Sequence, residues 1–216
     1  MATATIEVRT AGGIRNIAAA AWDRLAPEGN PFLAHAFLHV LEASGSAAET
    51  TGWQPCHLVV EEGQRLLAAA PLYAKSHSYG EYVFDHGWAE GFRRAGGQYY
   101  PKLQVAVPFT PVPGPRLLAA DATNRGLLIE GLKAATHQLG LSSLHVTFCT
   151  ADEAEGDAET AAVGRADVLR GLSLRSCRCR AHARSTTLAP RRPWGRKTRM
   201  RMRRAKAHTS FHDDPP

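Results

Sequence analysis

The chain has 216 residues, enough for one sizeable core with an appendage. No apolar run reaches the ~18 residues that a membrane-spanning helix needs, and the N-terminus lacks the basic-then-apolar order of a secretory signal. The net charge of +6 averages two unlike parts: residues 1–163 carry 11 Lys+Arg against 17 Asp+Glu, whereas residues 164–216 carry 15 against 3. The four cysteines, Cys56, Cys149, Cys177 and Cys179, are too few and too uneven for a disulfide framework, which points to reduced thiols and a cytoplasmic setting.

In chain order, "TIEVRT" (5–10) alternates as a strand does, and Ile14, Ile17, Ala18, Ala21, Trp22 and Leu25 recur at helical spacing. "NPFLAHAFLHVLEASGS" reads as a second helix, with Asn30 as its cap and Pro31 at the first helical position. "QPCHLVVEE" and "RLLAAAPLYAK" form a strand pair turning at Gly63. In "KLQVAVPF", Leu103, Val105, Val107 and Phe109 face one way and Lys102, Gln104 and Ala106 the other. The prolines at 111, 113 and 115 end that strand. A helix over about 123–139 and a last strand, "SLHVTFCT", follow. The predicted order is β-α-α-β-β-(aromatic segment)-β-α-β, an α/β or α+β sheet with helices packed on it over about residues 1–150.

Beyond about residue 150 an acidic linker gives way to a segment with thirteen arginines and few large apolar residues. Such a composition predicts disorder. It also offers counterion-release binding to nucleic acid, which is the alternative function: a non-enzymatic protein contacting RNA or DNA through its basic tail. The same composition is what a GC-rich gene yields when read out of frame, so a frameshifted or altered terminus is a further expectation, to be checked by translating the other two frames.

The segment "SYGEYVFDHGWA" (78–89) poses the functional question. Nine of the sixteen Phe, Trp and Tyr residues lie between Tyr73 and Phe109. Aromatic rings suit the walls of a ligand cleft, and Glu81, Asp85 and His86 among them are groups that can move protons. The competing expectation is a loop that covers a sheet with its rings. Lys75, His77, Tyr79, Tyr82, Trp88, Tyr99, Tyr100, Lys102 and Gln104 supply rings and donors beside it, suited to holding a substrate. A weak anion site at Asn124–Gly126 is open, but no dinucleotide fingerprint or P-loop is present. Cys177, Cys179 and His182 are poorly spaced for zinc, and no metal is expected.

Three stretches carry a resemblance: "NPFLAHAFLHVLEASGS", the run from "TGWQPCHLVV" through "KSHSYGEYVFDHGWAEGFRRAGGQYYPKLQVAVPFTPVPGPRLL", and "GLSSLHVTF". Together they resemble the N-terminal part of the peptidoglycan biosynthesis/recognition family, related to Fem-type peptidyltransferases in the GNAT acyltransferase superfamily. The resemblance implies a GNAT-like α/β unit, one of two in tandem. It implies transfer of an acyl or aminoacyl group from acyl-CoA or aminoacyl-tRNA to a small-molecule or peptide amine, by direct attack with a general base. Glu81, Asp85 and His86 are the residues placed to serve as that base. The pattern departs from the family in two ways: no Arg/Gln- and Gly-rich pyrophosphate loop is evident in "PRLLAADATNRG", and the basic tail stands where a second unit is expected. The chain is therefore expected to be truncated, inactive and prone to self-association through an exposed edge or apolar patch.

Overall fold

In this computed structural model the structure describes residues 5–83, 85–154 and 173–175. Strand β1 is Ile6–Ala11. The helical periodicity that follows is divided: a 3-10 turn at Ile14–Asn16, extended backbone at Ile17 and Ala18, and a short α1 at Ala19–Asp23. The apolar spacing survives that break because Ile14, Ile17 and Trp22 are buried in one cluster. The Trp22 indole N–H donates to the Leu33 carbonyl at 2.8 Å, satisfying the one polar atom of a fully buried ring. Asn30 caps a 3-10 turn at Pro31–Leu33, accepting from the Phe32 N–H, and α2 begins afterwards at His35–Ala43.

The central hairpin bends. Its first arm is β2, Trp53–Pro55, and β3, His57–Glu62; its second is β4, Arg65–Ala70, and β5, Leu72–Lys75. Pro55 and Pro71 lack an N–H and flank the bend. The Cys56 N–H still donates to the Leu72 carbonyl (2.9 Å), so the hairpin runs through from one sheet to the other. Helix α3 is His86–Arg94, followed by β6, Lys102–Val105, and β7, Leu118–Ala119. Helix α4, Ala122–Gln138, leads to β8, Leu144–Val146, and the described strands end with β9, Ser173–Arg175.

The first sheet runs β7-β4-β3-β1-β9 and the second β2-β5-β6-β8. In the second, β5 and β6 are antiparallel, whereas β6 and β8 are parallel, as a crossover through α4 requires. One face of the combined sheet, with Val8, Leu58, Leu72, Leu103 and Val105, packs on Leu128, Leu132 and Ala135 of α4. Gly131 permits the close approach: a Cβ there would lie 2.7 Å from Val8 Cγ1. Ile14, Trp22, Leu33 and Leu38 cover the opposite face of the first sheet, against Val59, Ala69 and Leu118.

The N-terminus of α4 is closed by its own cap. Asp121 accepts from both the backbone N–H and the side-chain amide of Asn124, so the anion site expected at Asn124–Gly126 is already filled by a carboxylate. Among the described residues no helix is long and apolar enough to cross a membrane, and no group of three or more His, Cys, Asp or Glu is arranged to hold a metal. The first residues assigned to the linker, 151–154, are helical, with Glu153 buried; apart from these and β9, the proposed linker and basic tail, including Cys177, Cys179 and His182, lie outside the described residues.

Candidate functional site

The period-two alternation of β5 and β6 gives the second sheet two unlike faces. Leu72, Ala74, Leu103 and Val105 enter the core with α4. Tyr73, Lys75, Lys102 and Gln104 share the opposite face, where Lys75 stands directly across from Lys102 and from Trp53 on β2. Two lysines opposed across neighbouring strands repel each other. Residues 76–101 leave the sheet at one lysine and return at the other, and what they deposit on the way resolves that repulsion.

Lys102 Nζ donates to Glu81 Oε2 at 2.8 Å and to Asp85 Oδ2 at 2.6 Å. Tyr99 and Tyr100 donate their hydroxyls to the two oxygens of Asp85, at 2.9 and 2.7 Å. Lys75 takes a different partner set: its ammonium lies 3.6 Å from the centre of the Trp53 ring and donates to the Tyr79 carbonyl at 3.1 Å. That carbonyl also accepts from the Trp53 indole at 3.2 Å. The approach is close enough that a Cβ at Gly80 would lie 2.6 Å from the Phe109 ring, and Gly80, at φ 78°, also supplies a left-handed turn.

The electrostatics of this group diverge by residue. Burial is the largest influence on Asp85 and acts upward, but the donors from Lys102, Tyr100 and Tyr99 outweigh it and hold the carboxyl well below the usual range. Burial also dominates at Glu81 and pushes its carboxyl up despite Lys102. Its Oε1 is buried and without a hydrogen-bond partner, as is Gln104 Oε1. Burial brings Lys75 down to about 7. Tyr99 and Tyr100 are raised, first by burial and then by donating to Asp85.

The nominated residues therefore separate into two sets. Lys75, Lys102 and Gln104 are buried; Gln104 donates to Thr147 Oγ1 at 2.9 Å. Lys75 and Lys102 direct their donors to the segment, holding it to the sheet. Glu81 and Asp85 are also buried, and Asp85, with three donors on it, is the weaker base of these two carboxylates. His86, Tyr79, Tyr82 and Trp88 are exposed, Trp88 by 76%. His77 is half-buried, with its ring pressed on Gly52. Burial holds the His77 imidazole below its ordinary value.

A cavity of about 450 Å³ opens between α3 and the returning chain, lined by His86, Ala89, Glu90, Arg93, Gly97, Gln98, Tyr99 and Tyr100. Three nominated residues meet there: His86, Tyr99 and Tyr100. Glu81 and Asp85 do not line it; Asp85 acts on it from behind, through the two tyrosine hydroxyls. The segment is both cover and wall, since its acids seal a polar sheet face while its outer side bounds a cavity.

A family model described as peptidoglycan biosynthesis/recognition matches residues 13–175, most of the chain. The chain belongs to the FemAB-like family. The match takes in both sheets from the end of β1 onward, the whole aromatic segment and the strand β9, which pairs parallel to β1. The mixed α/β architecture is the GNAT-like one expected of a FemAB-like unit. No curated protein matches the chain significantly. No solved structure does so either.

Sequence reasoning missed two features of this FemAB-like unit. Trp53 and Tyr73 belong to the polar face, joined edge to face at 5.4 Å, and a strand register would have been needed to see it. Arg116 and Glu153 form a second buried charged group. Arg116 donates from its side chain to the carbonyls of Val112, Gly114, Pro115 and Thr147, and Glu153 accepts from the backbone N–H groups of Arg116, Leu117 and Thr150. The signal was a single arginine ending a proline-rich loop whose carbonyls have few backbone donors to meet.

Proposed function

We propose that the chain carries the amine-acceptor site of an acyl or aminoacyl transferase acting on peptidoglycan-type peptides. The observation that carries this reading is the cavity bounded by His86, Tyr99 and Tyr100 within a FemAB-like chain. The acceptor amine enters that cavity, and its nitrogen attacks the acyl carbonyl carbon of the donor. A C–N bond forms, the bond to the donor's thiol or ribose oxygen breaks, and the proton lost by nitrogen passes to His86 and then to the leaving group.

His86 serves as base because it is the nominated proton acceptor that lines the cavity. Asp85 is a positioning residue: it fixes the hydroxyls of Tyr99 and Tyr100, and through them the wall. Glu81, buried with one unpartnered oxygen, holds Lys102. Tyr79, Tyr82 and Trp88 present exposed rings at the surface beside α3, a platform for the body of the donor or acceptor.

The test offers the full chain two donor classes, acyl-CoA and aminoacyl-tRNA, with a peptidoglycan stem peptide carrying a free side-chain amine. The reading predicts a peptide heavier by one acyl or aminoacyl group with one of them. No product from either donor overturns it.

A further inference from the structure

A second cavity, of about 540 Å³, lies away from the aromatic segment. The loop after β1 supplies Gly12, Gly13, Arg15 and Asn16; α2 supplies His39, Glu42 and Ala43; β2 and the turn before it supply Gln54, Pro55 and Ala47–Glu49. It shares no lining residue with the cavity at His86.

Its fixed point is Glu42. Oε2 accepts from the Ile14 N–H at 2.8 Å, and Oε1 accepts from His57 Nε2 at 2.6 Å. His57 is fully buried, with its ring edge-on to Trp22 (5.8 Å) and Tyr73 (5.2 Å), so the carboxylate is anchored in the core. Only 11% of the Glu42 side chain remains exposed. Each of its oxygens accepts one hydrogen bond and retains capacity for another. Around it, the side chains of Arg15, Asn16 and Gln54 line the cavity and make no hydrogen bond among the described residues. Gly13 keeps the space between them clear: a Cβ there would lie 3.1 Å from Glu42 Oε2 and 3.9 Å from Arg15 Cγ.

The lining combines two carboxylates, Glu42 and Glu49, with the Arg15 guanidinium, the His39 imidazole and the amides of Asn16 and Gln54, on a wall of alanine and proline; that mix of both charges suits a small molecule with an ammonium at one end and a carboxylate at the other. The carboxylate takes the guanidinium fork, the ammonium takes Glu42, and the volume suits a molecule of dipeptide size. We propose that this cavity binds a small zwitterion of the free amino acid or dipeptide class, at a site separate from the amine-acceptor cavity and independent of whether that cavity transfers acyl groups.

The probe is alanyl-alanine, titrated into the full chain by calorimetry and followed by backbone NMR. Saturable binding is expected, with the largest shifts at Gly12, Gly13, Arg15 and Glu42. N-acetylation or C-terminal amidation of the probe is expected to weaken it at least tenfold each. Arg15→Glu alters an exposed side chain, should leave the melting temperature unchanged and should also weaken binding at least tenfold. Gly13→Ala removes no polar group and, with φ at 160°, leaves the backbone unstrained, but it presses on Glu42 Oε2; affinity should fall, with a small drop in melting temperature because the same oxygen holds the Ile14 N–H. Absence of binding at millimolar probe, equal affinity for the blocked dipeptides, or unchanged affinity in Arg15→Glu would overturn the proposal, as would shifts confined to Tyr99 and Tyr100.

Discussion

Arg116 with Glu153, and Lys102 with Glu81 and Asp85, are both buried charged groups, yet they are satisfied in opposite ways. Arg116 and Glu153 bind backbone: four carbonyls on one side and three N–H groups on the other, all in the chain between β6 and residue 153. That is an arrangement for fixing loops that secondary structure leaves unpaired. The lysine group binds side chain to side chain, leaves Glu81 Oε1 and Gln104 Oε1 unpartnered, and backs a wall of two tyrosines whose other surface faces a cavity. A fold that needed only cover on this sheet face would be served at least as well by apolar residues, because desolvation consumes most of what a buried ion pair returns. The contrast separates charge that ties down loops from charge that stands behind a cavity wall.

The largest effects break each group in turn. Arg116→Met should destabilise the domain by about 3–5 kcal/mol, since four carbonyls lose their donor, and Lys102→Met by a similar ~3–5 kcal/mol, since two buried carboxylates lose their ammonium and Glu81 the donor to its Oε2. Chemical denaturation distinguishes the two. Adding Glu81→Gln and Asp85→Asn to Lys102→Met should recover most of the loss, whereas Glu153→Gln should not rescue Arg116→Met, because its N–H partners gain nothing.

A smaller loss is expected from Asp85→Asn, about 2 kcal/mol at neutral pH, the usual value of hydrogen bonds to a charged group. The Asp85 carboxyl lies below its ordinary 3.8 in the folded chain, so its contribution is present above that value and fades as pH falls beneath it. The stability gap between wild type and Asp85→Asn should therefore narrow below about pH 4.

Lys75 has the opposite sign. Its folded value of about 7 lies beneath the ordinary 10.5, so between those limits the unfolded chain binds the proton more readily. The cost is absent above 10.5, grows as pH falls towards 7 and is constant below. Lys75→Met leaves the Tyr79 carbonyl its indole donor, and should stabilise by about 1 kcal/mol at pH 7, with the advantage shrinking towards pH 10. The smallest effect is at the exposed triplet of Glu90, Arg93 and Arg94. Glu90→Gln should leave the melting temperature unchanged.

Much of the fold was legible because its patterns are local. The Gly63 hairpin, the stripe of α4 and the alternation of Lys102–Val105 each declare themselves within a few residues; past Val105 the predicted alternation fails, since Val107 packs in the cluster on the other side and Phe109 is exposed at φ 58°, and Asn30 caps a 3-10 turn ahead of α2, not α2 itself. Helix α3 was not legible: it buries no residue, and its Trp88 and Phe92 face outward beside two glycines, so no core stripe marks it. The hairpin's bend depends on two prolines in opposite arms, which single-strand patterns do not connect. At the proposed site, Glu81, Asp85 and His86 could be nominated by residue type. Their placement could not be read, since it follows from the register that sets Lys75 against Lys102 and brings two acids, 17 and 21 residues away in sequence, onto one ammonium.

The central claim is that the aromatic segment bounds an amine site with His86 as its base. Steady-state transfer by wild type and His86→Ala, measured at equal folded fraction, addresses it most directly. The account predicts an unchanged melting temperature with kcat lowered by about 10²–10⁴-fold. A His86→Ala variant that turns over as fast as wild type would contradict it.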